Sequence, residues 1–222
     1  MPALAAVLLP AALAASGGYA AGWAALRRRF RHAVAETAQA RWLADHDTLT
    51  GLPNRTTALR RHQQAVAAGR PVAVALVDLN NFKAVNDTWG HQAGDTQLAA
   101  VADRLAAAGR KIGALACRLG GDEFVLLLPA ADPRTLMHQV SEISATVSAA
   151  LPLAVEENLT VITHPGASVG VAVPEPEDSF SDLLRKADLA LYHAKSHGTG
   201  THLYAPGLRQ PPSHRGTAIA AS

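Results

Sequence analysis

Apolar positions in this 222-residue chain fall into three patterns. Met1 to Leu26 carries no charged side chain, and a helix needs about 20 such residues to cross the hydrocarbon of a bilayer. Further along, apolar residues recur at helical spacing. Leu98, Val101, Ala102 and Leu105 share one face of a helix predicted over Asp95 to Ala108 and closed by Gly109. Leu183, Ala187, Leu191 and Ala194 form the stripe of another, opened by Ser179 and running to about His197. The third pattern is the short unbroken run of a buried strand: Val72 to Val77 ending at Asp78, Ala114 to Leu119, Phe124 to Leu128, Leu159 to Thr163 and Ala167 to Val173.

Punctuating residues separate these runs. Ala24 to Ala44 has no proline or glycine and reads as a stalk helix, with Leu26, Phe30 and Val34 on one face as a short parallel dimer seam. Gly51 and Pro53 break it, and Asn54 caps a helix predicted through Ala68. Asn80 to Gly90 is polar and predicted as a loop anchored by Phe82 and Val85; a helix is expected over Pro133 to Leu151, and an edge strand over Thr201 to Tyr204. Gly207 to Ser222 has the composition of a disordered tail. The fold class is α/β, one central sheet covered by helices.

The apolar N-terminus abuts Arg27-Arg28-Arg29-Phe30-Arg31, which predicts a single-pass membrane helix with its C-terminal side in the cytoplasm. A cleaved secretory signal processed near Ala14-Ala15-Ser16 is the competing reading, but such a signal begins with its positive charges. The expected organisation is a membrane helix over 1–26, a juxtamembrane stalk over 27–44, a folded domain over 45–205 and a tail over 206–222. A formal net charge of +2 argues against a nucleic-acid partner. The single cysteine, Cys117, excludes an internal disulfide framework and reads as a buried thiol, while His62, after two arginines, reads as a surface residue.

Candidate chemistry gathers at Arg118-Leu119-Gly120-Gly121-Asp122-Glu123-Phe124, where the glycines between two strand-like runs supply the positive φ angles of a tight hairpin. Two carboxylates at its tip stand beside backbone that a ligand can approach closely. Asp78, at the predicted end of a buried strand, is a neighbour if the strands pair.

Four separated motifs carry a family resemblance: Asp47-x-Leu49-Thr50-Gly51-Leu52-Pro53-Asn54-Arg55; Asp78 to Asp95 with Asn80, Phe82, Lys83, Asn86, Gly90 and Gly94; Arg118-x-Gly120-Gly121-Asp122-Glu123-Phe124; and Ala187-Asp188-x-Ala190-Leu191-Tyr192-x-Ala194-Lys195. From Asp47 to about Tyr204 the chain resembles the GGDEF-domain diguanylate cyclases, which condense two GTP into cyclic di-GMP and release pyrophosphate. The resemblance implies a palm-like sheet similar to that of nucleotidyl cyclases, one GTP per subunit and catalysis across a homodimer. It implies magnesium, with manganese as a substitute, held by Asp78, Asp122 and the main-chain carbonyl of Leu79. Asp122 takes the catalytic role, with Glu123 auxiliary. Asn86 and Asp95 read guanine; the turn at Phe82 and Lys83, with Lys195, contacts phosphate; Arg55 and Asp188 are structural.

Three positions depart from the pattern. Asn80 stands where a second aspartate is frequent, Thr199 where an arginine would meet the triphosphate, and Lys111-Ile112-Gly113-Ala114 where many members carry the Arg-x-x-Asp of a product-inhibition site. The resulting expectation is a membrane-anchored diguanylate cyclase with weakened GTP binding and no product feedback. The alternatives are a catalytically weak GTP-binding effector and a palm-type nucleotidyltransferase with another product.

Overall fold

The computed structural model describes Trp23 and residues 27–156, 159–198 and 200–209. The chain divides into two units between Ala44 and Asp45. In the first, residues 27–44 are helical and exposed throughout, Phe30, Val34, Trp42 and Leu43 included. Leu26, the remaining member of the proposed dimer seam, lies outside the described residues, as does the expected membrane helix apart from Trp23. Among the described residues no helix is long and apolar enough to cross a membrane.

The second unit runs α1 (Arg55–Ala67), β1 (Val72–Asn80), α2 (Phe82–Lys111), β2 (Leu115–Gly120), β3 (Glu123–Pro129), α3 (Pro133–Ser148), β4 (Leu151–Glu156), β5 (Leu159–Thr163), β6 (Gly166–Ala172), α4 (Phe180–His197) and β7 (Thr201–Leu203). Five strands form one sheet in the order β2-β3-β1-β6-β7, antiparallel except where β7 runs parallel to β6; β4 and β5 make a separate hairpin.

The central strand is apolar from Val72 to Val77 because both its faces are covered there; Asp78 and Asn80 lie at its end. Ala73, Ala75, Val77 and Leu79 face one core with Leu98, Val101 and Leu105 of α2 and Leu136 and Val140 of α3. Val74 and Leu76 face the other, with Leu183, Ala187 and Leu191 of α4. Cys117 joins that second core, and burial pushes its thiol up to about 12. Gly170 lets α4 lie directly on β6: a Cβ there would strike the Ala187 carbonyl and the Leu191 backbone.

Several sequence expectations need correction. β1 does not stop at Asp78 but continues to Asn80, and the segment read as a loop is helical from Phe82. The chain turns between them on Asn81 alone, at φ 58°, a left-handed conformation that asparagine tolerates. Gly90, at φ 80° and ψ 164°, is non-helical and divides α2 into two helical segments across a kink. Gly109 is buried inside α2, and Gly113, at φ 72°, follows its true end. α3 ends at Ser148, and Leu151 opens a strand; Arg104 from α2 takes the carbonyls of Val147, Ala149 and Ala150 at 2.6–2.8 Å, so the helix end is completed by a residue over forty positions away. His62 is not at the surface: it is 4% exposed, packed on Phe180 with ring centroids 5.4 Å apart.

Of the tail, residues 206–209 are described, with Leu208 N–H donating to the Ala205 carbonyl; 210–222 lie outside the described residues.

Candidate active site

The hairpin is tighter than the glycine pair suggests, because Gly120 pairs with Glu123 and the two-residue loop is Gly121-Asp122. Gly121 sits at φ 54°, in the left-handed region. On the other side of β3, Asp78 pairs with Glu123 in antiparallel register. Directly opposed residues project to the same face of a sheet, so these two carboxylates are neighbours. The Leu79 N–H donates to the Asp122 carbonyl at 3.3 Å, tying the hairpin tip to β1 just beyond Asp78.

The tip is also held from outside the sheet. Arg118 donates through Nη1 to Asp47 Oδ1 at 2.8 Å, and through Nε and Nη2 to the Gly121 carbonyl at 3.1 and 2.7 Å. Thr50 donates to the same Asp47 oxygen from its backbone N–H and its hydroxyl. Burial opposes the charge on Asp47, but Thr50 and Arg118 outweigh it and hold the carboxyl below its ordinary value. Sequence reasoning assigned no role to this pair, although an arginine in an otherwise apolar strand is a signal that it has a partner.

Asp78, Leu79 and Asp122 line one cleft of about 590 Å³ together with Asn81, Phe82, Lys83 and Lys195. Lys195, on α4, places Nζ 2.7 Å from Asp78 Oδ1. Glu123 is raised above the usual glutamate value, first by burial and then by Asp78, Asp122 and Asp188, with Lys195 opposing. Asp188, read from sequence as structural, is therefore electrically part of this acidic group. Among the described residues no three His, Cys, Asp or Glu side chains are arranged around a metal position. Two carboxylates and a main-chain carbonyl beside one cleft are nonetheless the hard oxygen donors that suit magnesium, which takes one or two carboxylates and fills its shell with water and phosphate oxygens.

The start of α2 also lines the cleft. The first amides of a helix lack intrahelical acceptors and, with the helix dipole, favour an anion. Phe82 and Lys83 provide this lining. Asn86 and Asp95 do not line the cleft. Asn86 is half-buried and Asp95 exposed, on either side of the Gly90 kink. Gly94 joins the two regions: a Cβ there would collide with Asn86 Oδ1 and come within 3.1 Å of Phe82 Cζ, so Asn86 and the cleft-lining Phe82 pack on one glycine. Gly198 and Gly200 also line the cleft; Thr199 lies outside the described residues. Gly113 is at the other end of the sheet, in a cavity of about 640 Å³ with Arg61 and Arg70.

The family model described as "Diguanylate cyclase, GGDEF domain" matches residues 44–201. The chain belongs to the GGDEF-domain diguanylate cyclase family. Among similar GGDEF proteins is the bifunctional diguanylate cyclase/cyclic di-GMP phosphodiesterase MucR of Pseudomonas aeruginosa, 39% identical over 170 residues, which are 73% of this chain and 24% of MucR. The diguanylate cyclase TpbB of the same species is 38% identical over 168 residues, 73% of this chain and 38% of TpbB. This chain thus spans well under half the length of these relatives. The crystal structure of the coiled coil and GGDEF domain of DgcB from Caulobacter crescentus, solved with c-di-GMP, matches with a TM-score of 0.66 at 28% identity, over 80% of this chain and 98% of that one.

Proposed function

We propose that this chain is a diguanylate cyclase that joins two GTP into cyclic di-GMP, releasing two pyrophosphates. The observation that carries the reading is the single cleft shared by Asp78, Asp122, Lys195 and the start of α2. Attack of a ribose 3′-hydroxyl on an α-phosphorus builds negative charge on several oxygens at once, and preorganised positive groups lower that barrier. Phe82 and Lys83 amides and the Lys195 ammonium hold the triphosphate. Asp122 accepts the proton of the attacking hydroxyl, and Glu123 assists it. Asp78, Asp122 and the Leu79 carbonyl hold magnesium, or manganese in its place, which when bound neutralises phosphate charge. Asn86 and Asp95 select guanine, since a carboxylate accepts from N1–H and the 2-amino group while an amide both donates and accepts.

One cleft handles one GTP, so cyclisation takes two copies of the chain facing each other. The exposed stripe of Phe30 and Val34 suits a parallel pairing of the stalks. The uncharged segment 1–26 followed by four arginines within 27–31 suits a single-pass anchor, with the catalytic domain in the cytoplasm. Thr199, in place of a phosphate-binding arginine, supports a second reading: a weak GTP-binding effector.

Incubating the purified chain with GTP and magnesium, beside Asp122→Ala, tests the proposal by chromatography. The expected product is cyclic di-GMP from the parent chain and none from the variant. Bound but unconverted GTP selects the effector reading, and a different nucleotide product overturns both.

A further inference from the structure

The Asp78–Lys195 pair sits where two demands meet. Asp78 is a proposed cation ligand, with its side chain 16% exposed, and Lys195 is a proposed phosphate contact, 44% exposed. One carboxylate oxygen, Asp78 Oδ1, is already engaged by the ammonium at 2.7 Å. A divalent cation at Asp78 and the ammonium compete for one carboxylate charge: both are positive, so each weakens the other's hold even where they take different lone pairs.

The surroundings favour exchange over a permanent bond. Asp122 lines the same cleft, and Glu123 lies directly across the strand pair from Asp78. Both Asp188 and Lys195 are close enough to act on Glu123. Glu123 feels the negative charge of Asp78, Asp122 and Asp188 with Lys195 opposing them, so the surroundings of Asp78 are acidic and favour a further positive charge. Lys195 is a compact charge on a flexible four-carbon stem, anchored on α4 near its glycine C-cap Gly198. The cleft it lines also contains Lys83 and the start of α2, where a triphosphate is expected. The stem can therefore move the ammonium from one wall to the ligand without moving the helix.

We infer that Lys195 is an exchangeable counter-ion: its ammonium neutralises Asp78 before nucleotide arrives and transfers to the triphosphate when the nucleotide's divalent cation takes Asp78. Lys195 then has opposite effects on the two ligands. It weakens binding of a free divalent cation by competition and strengthens binding of the cation–nucleotide pair by contact. This couples the two bindings and keeps the acidic cleft from filling with metal alone. The nucleotide half rests on the function proposed above; the competition at Asp78 does not.

Manganese titration of the full chain without nucleotide, with free Mn²⁺ read by electron paramagnetic resonance, tests the competition. Lys195→Met is expected to bind Mn²⁺ about two- to five-fold more tightly than the parent, the range for losing one partly exposed charge partner. The same variant should bind a fluorescent GTP analogue with Mn²⁺ more weakly. Lys195→Arg, whose planar fork grips a carboxylate better, should bind Mn²⁺ less tightly than the parent; it serves as the second variant should Lys195→Met lose its circular dichroism. In an Asp78→Asn background, Lys195→Met should give no gain. Equal or weaker Mn²⁺ binding by Lys195→Met, or a gain that survives Asp78→Asn, overturns the inference. None of these titrations requires turnover, so a chain that makes no cyclic di-GMP defeats the proposed function without deciding this one.

Discussion

Arg118 and Asp47, 71 residues apart, meet at 2.8 Å, and the same guanidinium grips the Gly121 carbonyl inside the hairpin loop. One side chain thus fixes the loop carrying Asp122 against the segment that leads into the domain. Arg118→Ala removes both attachments. Hydrogen bonds to charged groups contribute about 1.5–3 kcal/mol each, so losing the two attachments should cost about 3–6 kcal/mol in urea unfolding. Its rate of cyclic di-GMP formation should fall by a larger factor than its stability implies, because Asp122 would no longer be held at Asp78.

The Asp47 carboxyl adds a pH signature. Its folded value is depressed, so its contribution is present above the unfolded value near 4 and is lost as pH falls through the folded value. Asp47→Asn should therefore be less stable than the parent by a constant amount from pH 5 to 8. The gap should close below about pH 4. A gap unchanged at pH 3 would show that the charge of Asp47 is not what holds Arg118.

His62 gives the opposite kind of correction. Two arginines before it made it look like surface, yet it fills a place against Phe180, and burial holds its imidazole below the usual histidine value. The unfolded chain accepts this proton more readily, so native stability falls as pH drops below about 6.5 towards the lower folded value. His62→Phe should flatten that part of the stability curve between pH 7 and 5. Guanidinium unfolding of both proteins across that interval measures it.

The sequence was most informative where a periodic pattern faced a core. Leu98, Val101, Ala102 and Leu105 are all buried on one side of α2, and Leu183, Ala187, Leu191 and Ala194 on one side of α4. Asn54 caps α1 as read, its Oδ1 accepting from the Thr57 N–H. Legibility ended where long-range contacts override local signals. The polar stretch after Asn80 folds as helix because Phe82 packs beneath it and Asn81 turns the chain. Leu151 became strand because β5 pairs with it and Arg104 completes the helix before it. In the cleft, Asp78 and Asp122 could be placed together only on the condition that their strands pair. The Arg118–Asp47 clamp, the Lys195–Asp78 pair and the approach of Asp188 to Glu123 span too much sequence for any local pattern.

Gly94 ties Asn86, the proposed guanine contact, to packing. A methyl group there meets the Asn86 amide oxygen, the far end of a side chain that can rotate. Gly94→Ala should therefore cost about 1 kcal/mol in stability, the lower end of the overpacking range. The displaced amide should nevertheless raise the Michaelis constant for GTP several-fold while ATP binding stays weak. If GTP affinity is unchanged, Asn86 does not read the base from its present position.

Feedback by product is expected to be absent. Lys111-Ile112-Gly113-Ala114 supplies neither the guanidinium nor the carboxylate of the family's inhibitory motif. This turn lies at the far end of the sheet: Gly113 lines a cavity with Pro129, whose strand partner is Val72, while Asp78 and Glu123 pair at the cleft end. Arg61 and Arg70 line the neighbouring cavity, but no carboxylate is among its lining residues to receive a guanine edge. Initial rates should thus stay constant as micromolar cyclic di-GMP is added at saturating GTP. Non-competitive inhibition would instead assign a feedback role to this far cavity; its loss in an Arg61→Ala, Arg70→Ala double variant would then locate the inhibitor between those two arginines.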